Sequence, residues 1–284
     1  MQYYHVDVFS NGPLTGNGLS VLICERFPAI ETMLQITREM KQYETIFLRK
    51  LQDNEYRARI FTKDEELDFA GHPILGAAAV LHMLHNCNEE EEIQFHLNGK
   101  DVKVTSVAID QRREYVCSMN QGAAEEIGHI PVEDYSKLIE PLGLTMDNLA
   151  TAYPLKIMTT GLSYLLVPIH SGLESTGMFS RDYESLINSY GAKFAYVFDS
   201  NTREGRTFDF DGLEDVATGS AAGPVGAYLC AHGVCKTGEE IIIHQGRFLD
   251  RPSELHVLQE EDTGCIIVSG NVSIIAEGTF YIEG

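Results

Sequence analysis

The chain has 284 residues, 44% of them apolar and 22% charged, and a formal net charge of −21. That length suits two domains and that composition a folded globular protein, while the negative field argues against nucleic acid or an anionic membrane as partner. No apolar run reaches the ~20 residues of a membrane helix. The opening MQYYHVDVFSNG has neither the basic flank nor the apolar stretch of a signal peptide, so a cytoplasmic protein is expected.

Taken in chain order, apolar runs at Val6–Phe9 and Leu19–Cys24 predict strands. Ile30, Met33, Leu34, Thr37 and Met40 then fall on one face of an amphipathic helix. Short strands follow at Thr45–Leu48 and Tyr56–Phe61. A turn, Ala70-Gly71-His72-Pro73, leads into an apolar helix over Pro73–His85. Glu89 to Glu92 read as a solvated loop, strands at Ile93–Leu97 and Val102–Val107 close the half, and residues 111–128 read as a crossover. The second half has the same grammar. Strands are expected at Lys156–Thr159, Tyr164–Val167, Phe194–Phe198 and Thr207–Phe210, then the turn Thr218-Gly219-Ser220-Ala221 and a helix over Ala221–His232. Strands at Glu240–His244, Leu255–Leu258 and Cys265–Ser269 follow, and a last strand near Thr279–Ile282 would return to the first half. Six cysteines (Cys24, Cys87, Cys117, Cys230, Cys235 and Cys265) show no CxxC and no metal-ligand spacing. Reduced, mostly buried thiols are expected, and no metal.

The shared grammar is an internal repeat. RIFTKDEELDFAGHPILGAAAVL, beginning at Arg59, resembles RTFDFDGLEDVATGSAAGPVGAYL, beginning at Arg206. Gly18-Leu19-Ser20 recurs as Gly161-Leu162-Ser163, and Tyr43 and Phe47 match Tyr190 and Phe194. Two similar domains in tandem are expected: residues 1–112, joined by the last strand at about 275–284, and residues 125–272. The Ala- and Gly-rich helices have no polar face and must be enclosed, which a curved sheet can do.

Each glycine turn feeds the start of a buried helix, where backbone N–H groups and the helix dipole favour negative charge. Two such turns could cradle an anion in spite of the net charge. Turn and cap chemistry alone also produces such segments. Glu44 breaks the symmetry, because the same spacing gives it Gly191 as counterpart. It precedes an apolar strand, so burial is expected to raise its pKa into the range useful for proton transfer. Taken alone, Glu44 reads as a solvated surface acid and His72 as a helix-start residue, and Asp215 can be read as a turn acid. There is no dinucleotide-binding GxGxxG, P-loop, HExxH or GxSxG.

Together, Tyr43-Glu44-Thr45, the segment from Glu66 to Pro73, the segment from Glu214 to Ala221, Gln245-Gly246 and Arg251-Pro252-Ser253 resemble the phenazine-biosynthesis isomerase (PhzF) family. The opening VDVFSNGPLTGNGLSV is similar to the family's start, and the motifs keep their order over the whole chain. The resemblance implies an α+β, diaminopimelate-epimerase-like fold. In it, two pseudo-symmetric domains each wrap a barrel-like, mostly antiparallel sheet around a central helix, with the active site in the cleft between them. It implies a homodimer, no cofactor, and an isomerase that moves a proton on a small anionic metabolite. Glu44 matches the family's proton-shuttling acid/base, and His72 and Asp215 match polar residues that assist it. Gly71, Gly219 and Ser220 match the groups that hold the substrate. Asp68 and Val216 stand where proline is common in the family. Relatives that racemise amino acids place a cysteine in each turn, and neither turn here has one. An epimerase or racemase using Glu44, or a binding protein without catalysis, stays open as an alternative.

Overall fold

The computed structural model describes residues 1–87, 89–110, 113–180 and 182–282. The chain forms two compact units, one of Met1–Asn120 with the chain from Ser269 onward, the other of Gln121–Val268.

In the first unit β1 (Gln2–Val8) and β2 (Asn17–Ile23) pair antiparallel. α1 (Ile30–Met40) follows, and β3 (Thr45–Gln52) lies parallel to β2. β4 (Glu55–Phe61) and the two-residue β5 (Glu66–Leu67) lead into α2 (Gly71–His85). β6 (Glu91–His96), β7 (Asp101–Asp110) and β8 (Glu114–Ala123) come next. In the second unit β9 (Glu125–Glu126) and α3 (Tyr135–Ile139) precede β10 (Lys156–Thr159) and β11 (Ser163–Ile169). Then come α4 (Tyr183–Asn188), β12 (Phe194–Asp199), β13 (Gly205–Thr207) and α5 (Gly219–Ala231). β14 (Glu240–Gln245) and β15 (Ser253–Gln259) finish that unit, and β16 (Cys265–Thr279) carries the chain back to the first.

The first unit's sheet closes on itself. Its order is β1-β2-β3-β4-β6-β7-β8-β16, and β16 pairs β1 antiparallel, from Gln2 with Thr279 to Val8 with Val272. α2 packs against β1, β2, β3, β6 and β7, strands from all around the ring. Every residue of α2 from Gly71 to His82 is buried, as a helix with no polar face demands. At Gly76 a Cβ would lie 2.5 Å from the Leu19 side chain and 2.9 Å from that of Val6, so glycine lets the helix reach the sheet. α1 lies on another face of the sheet, where Met33 and Ile36 pack with Leu22, Phe47 and Phe61.

The second unit wraps α5 with two sheets. One has the order β13-β12-β11-β10-β9, and the other contains β14, β15 and the start of β16. α5 packs against β10, β11, β14 and β15, and a bridge from Glu204 to His244 links the two sheets. The parallel pair followed by an antiparallel one recurs: β2 with β3 and β3 with β4 in the first unit, β11 with β12 and β12 with β13 in the second. This is the α+β, diaminopimelate-epimerase-like architecture. No helix among the described residues is long and apolar enough to cross a membrane.

Several expectations are corrected. The chain does pass from the first unit to the second within the segment 111–128, but it does so along a ten-residue strand, β8, whose Tyr115, Cys117 and Met119 alternate inward; positions 111 and 112 lie outside the described residues. The strand expected at Thr207–Phe210 ends at Thr207, because Phe208 bridges to Glu214 and closes a tight loop. The strand that returns to β1 runs over 272–279, earlier than Thr279–Ile282; positions 283 and 284 lie outside the described residues. Of the acidic run, Glu91 is buried at the start of β6, where its carboxylate meets His85 Nδ1 at 2.6 Å. The thiols are not all reduced. Cys230 and Cys235 form a disulfide, because Gly233 at φ +76° turns the chain back just beyond α5.

Candidate active site

The two helix starts singled out by the repeat are built on one plan. β4 carries Arg59, whose guanidinium grips the Glu66 carboxylate with Nε and Nη2, and Asn98 Nδ2 donates to the same carboxylate at 2.9 Å. β13 carries Arg206, which grips Glu214 in the same two-pronged way, at 2.9 and 2.6 Å. A bidentate pair fixes orientation as well as charge. Each clasp ties the loop just before a turn back to the sheet. Beyond it, α2 and α5 begin with no side-chain cap and no acidic residue in the first turn. Their leading N–H groups and dipoles therefore face no competing carboxylate of their own helix.

At the first turn, Glu44 stands immediately before β3 and His72 is the second residue of α2. Glu44 Oε2 lies 3.2 Å from His72 Nδ1, and each residue is only 6% exposed. Burial pushes the His72 pKa from 6.5 down to about 3, since an imidazolium there would lose its hydration. The positive end of α2 acts in the same direction. His72 is therefore neutral near pH 7. Its Nε2 is buried with no hydrogen-bond partner among the described residues.

The second turn is wired differently. Thr218 donates its hydroxyl to Asp215 Oδ2 at 2.6 Å, and the Ser220 hydroxyl lies 2.7 Å from that of the buried Tyr164. The Tyr164 ring lies 5.7 Å from Phe194, which stacks on Phe210 at 5.9 Å. Gly71 and Gly219 are both buried at their helix starts. Among the described residues no group of three or more His, Cys, Asp or Glu side chains is arranged to hold a metal ion.

The ladders correct the counterpart of Glu44. Arg59 pairs with Phe47 across β3 and β4, and Arg206 with Val197 across β12 and β13. Three residues back along each strand stand Glu44 and Phe194. Gly191 is instead a turn residue beyond α4, at φ +95°. Counted from the matched arginines, the second unit thus has an aromatic ring where the first has its buried acid, and Ser220 stands where the first has His72.

A family described as phenazine biosynthesis-like protein (PhzC-PhzF) matches residues 6–278. The chain belongs to this family. A curated relative from Pseudomonas aeruginosa, trans-2,3-dihydro-3-hydroxyanthranilate isomerase, is 32% identical over 99% of each chain. The uncharacterized isomerase YddE of Escherichia coli is 29% identical, again over 99% of both. A solved structure from Pseudomonas aeruginosa, described as a predicted epimerase, superposes with a TM-score of 0.93 at 41% identity over 99% of each chain. This PhzF-family chain is an isomerase.

Sequence reasoning named Glu44 and His72, and the structure brings them together. It also brings Asp215 to Thr218 within the second unit. It missed Tyr164, which no local motif marks, and it used Arg59 and Arg206 only as repeat markers. Their clasps were signalled by a glutamate seven or eight positions after each arginine.

Proposed function

We propose that the chain is a cofactor-independent isomerase in which Glu44 moves a proton on a small, carboxylate-bearing metabolite. The observation that supports this reading is the buried contact of Glu44 Oε2 with the neutral imidazole of His72, at 3.2 Å, at the head of a helix free of acidic residues. Glu44 as carboxylate takes a proton from an activated carbon, and the electron pair left behind is delocalised into the substrate. The resulting carboxylic acid returns the proton to another atom of the same molecule. One carboxyl plays both parts in succession. His72 stays neutral and assists by facing the Glu44 carboxyl through Nδ1, which orients it. Gly71 lends its backbone to the substrate carboxylate.

Asp215, Gly219 and Ser220 are proposed to act on the same substrate, with support from their matched place in the repeat and from the family motif. The reading carries a homodimer in the cytoplasm, checked by a sedimentation mass of twice the chain. The test of the chemistry is Glu44→Gln, assayed against small carboxylic acids in deuterated solvent. Loss of both turnover and label uptake is expected, and a wild-type rate sinks the reading.

A second reading, epimerisation of an amino or hydroxy acid by the same residues, draws support from the relative described as an epimerase. It differs in outcome: label enters at a stereocentre and the skeleton is retained.

A further inference from the structure

A buried amide holds the loop from Asp215 to Thr218. Gln245, the last residue of β14, is 1% exposed. Its Oε1 accepts from the Tyr196 hydroxyl at 3.0 Å and from the Thr218 backbone N–H at 3.1 Å. Its Nε2 donates to the Asp215 carbonyl at 2.8 Å and to the Thr218 hydroxyl oxygen at 3.0 Å. Those four bonds use both lone pairs and both protons, so the amide has one orientation only. The consequence falls on Thr218. Its hydroxyl oxygen accepts from Gln245, and its single proton is directed to Asp215 Oδ2 at 2.6 Å. Gly246 adds to the constraint: at φ +83° a Cβ there would lie 2.3 Å from the Arg251 carbonyl oxygen and 2.7 Å from that of Val216. The loop backbone therefore rests directly on the end of β14.

We propose that Gln245 is a positioning residue, which aims the Thr218 hydroxyl at Asp215 and so holds the Asp215 carboxylate in place beside the start of α5. Gln245 is too deeply buried to meet a substrate itself and acts through Thr218. Tyr196, close enough to feel the Asp215 charge, gives its hydroxyl proton to Gln245, and the Arg206 guanidinium is engaged by Glu214. The benefit to catalysis rests on the role given to Asp215 above; the hydrogen-bond relay does not.

The test is a substrate-free titration of Asp215 by carbon NMR in the full chain labelled at the aspartate carboxyl carbons. Gln245→Met removes the donor that orients Thr218, and Thr218→Val removes the hydroxyl itself. A hydrogen bond to the charged form lowers a carboxyl pKa, so each variant should raise the Asp215 midpoint by about 0.5–1 pH unit. The double variant should rise no further than Thr218→Val alone. A folded Gln245→Met with the wild-type midpoint overturns the proposal, as do shifts that add. If Gln245→Met does not fold, the Gln245 side-chain amide reports the same link in Thr218→Val. Its exchange with solvent should quicken about tenfold, and an unchanged amide overturns the proposal. Since no substrate is used, a failed Glu44→Gln test leaves this result standing.

Discussion

The two turns share a frame and differ in chemistry. Both follow an arginine–glutamate clasp and both open an apolar helix with no side-chain cap. The first turn sets a buried carboxylate against a neutral histidine, while the second presents Ser220, Asp215 and an aromatic wall at the corresponding places. On the function proposed above, one half of a duplicated scaffold moves the proton and the other holds the substrate. The support beneath them differs as well. The loop of the second turn is pinned by all four bonds of Gln245, whereas the first is tied through Asn98 and Arg57 on the rim of the ring.

The largest expected effect tests the chemical asymmetry. Glu44→Gln should lower turnover by about 10²–10⁴-fold, the usual range for a general acid or base. Ser220→Ala, in the other turn, should cost about tenfold and act mainly on KM. Equal losses in kcat from the two variants would erase the division of labour.

Next comes the clasp. Arg206 and Glu214 side chains are 9% and 7% exposed, and Arg206 Nη1 also donates to the carbonyls of Leu173 and Thr176. Arg59 and Glu66 are 19% and 18% exposed. Arg206→Met should therefore cost about 3–5 kcal/mol by leaving a buried carboxylate unpaired. Arg59→Met should cost about 1 kcal/mol, because water reaches Glu66. Urea midpoints of the two variants decide it, and similar midpoints would contradict the difference in burial.

A pH effect follows from His72. In the unfolded chain it titrates near 6.5 and in the fold at about 3. Between those values the unfolded state binds a proton that the folded state does not, so stability is complete above pH 6.5 and falls as pH drops. One such proton costs about 1.4 kcal/mol per pH unit. His72→Ser, which borrows the residue of the second turn, should flatten the stability profile between pH 6 and 4. An unchanged slope would show that His72 is not held neutral.

The smallest effect concerns what the two units have in common. Gly76→Ala would put a Cβ 2.5 Å from the Leu19 side chain, and Gly226→Ala one 2.4 Å from that of Val257. Each should cost about 1–3 kcal/mol by overpacking. A neutral substitution in either unit would mean that its sheet yields where the other does not.

Much of this protein was decided by local pattern. Apolar helices without a polar face require a surrounding sheet whatever their neighbours, and the repeat of Arg59 to Leu81 as Arg206 to Leu229 required two such arrangements. The turn residues Gly71, His72, Gly219 and Ser220 are legible because they sit at helix starts, a local feature. Only the tertiary structure decided the rest. The counterpart of Glu44 depends on strand register, which spacing along the chain cannot fix when loops differ in length; hence Phe194 and not Gly191. The Cys230–Cys235 bond depends on a reversal at Gly233, and the buried place of Glu91 depends on His85 arriving from the end of α2. Tyr164 and Gln245 reach Ser220 and Thr218 across 56 and 27 residues of chain. Contacts of that kind follow from where the folded backbone brings distant side chains together, and no periodicity along the sequence encodes them.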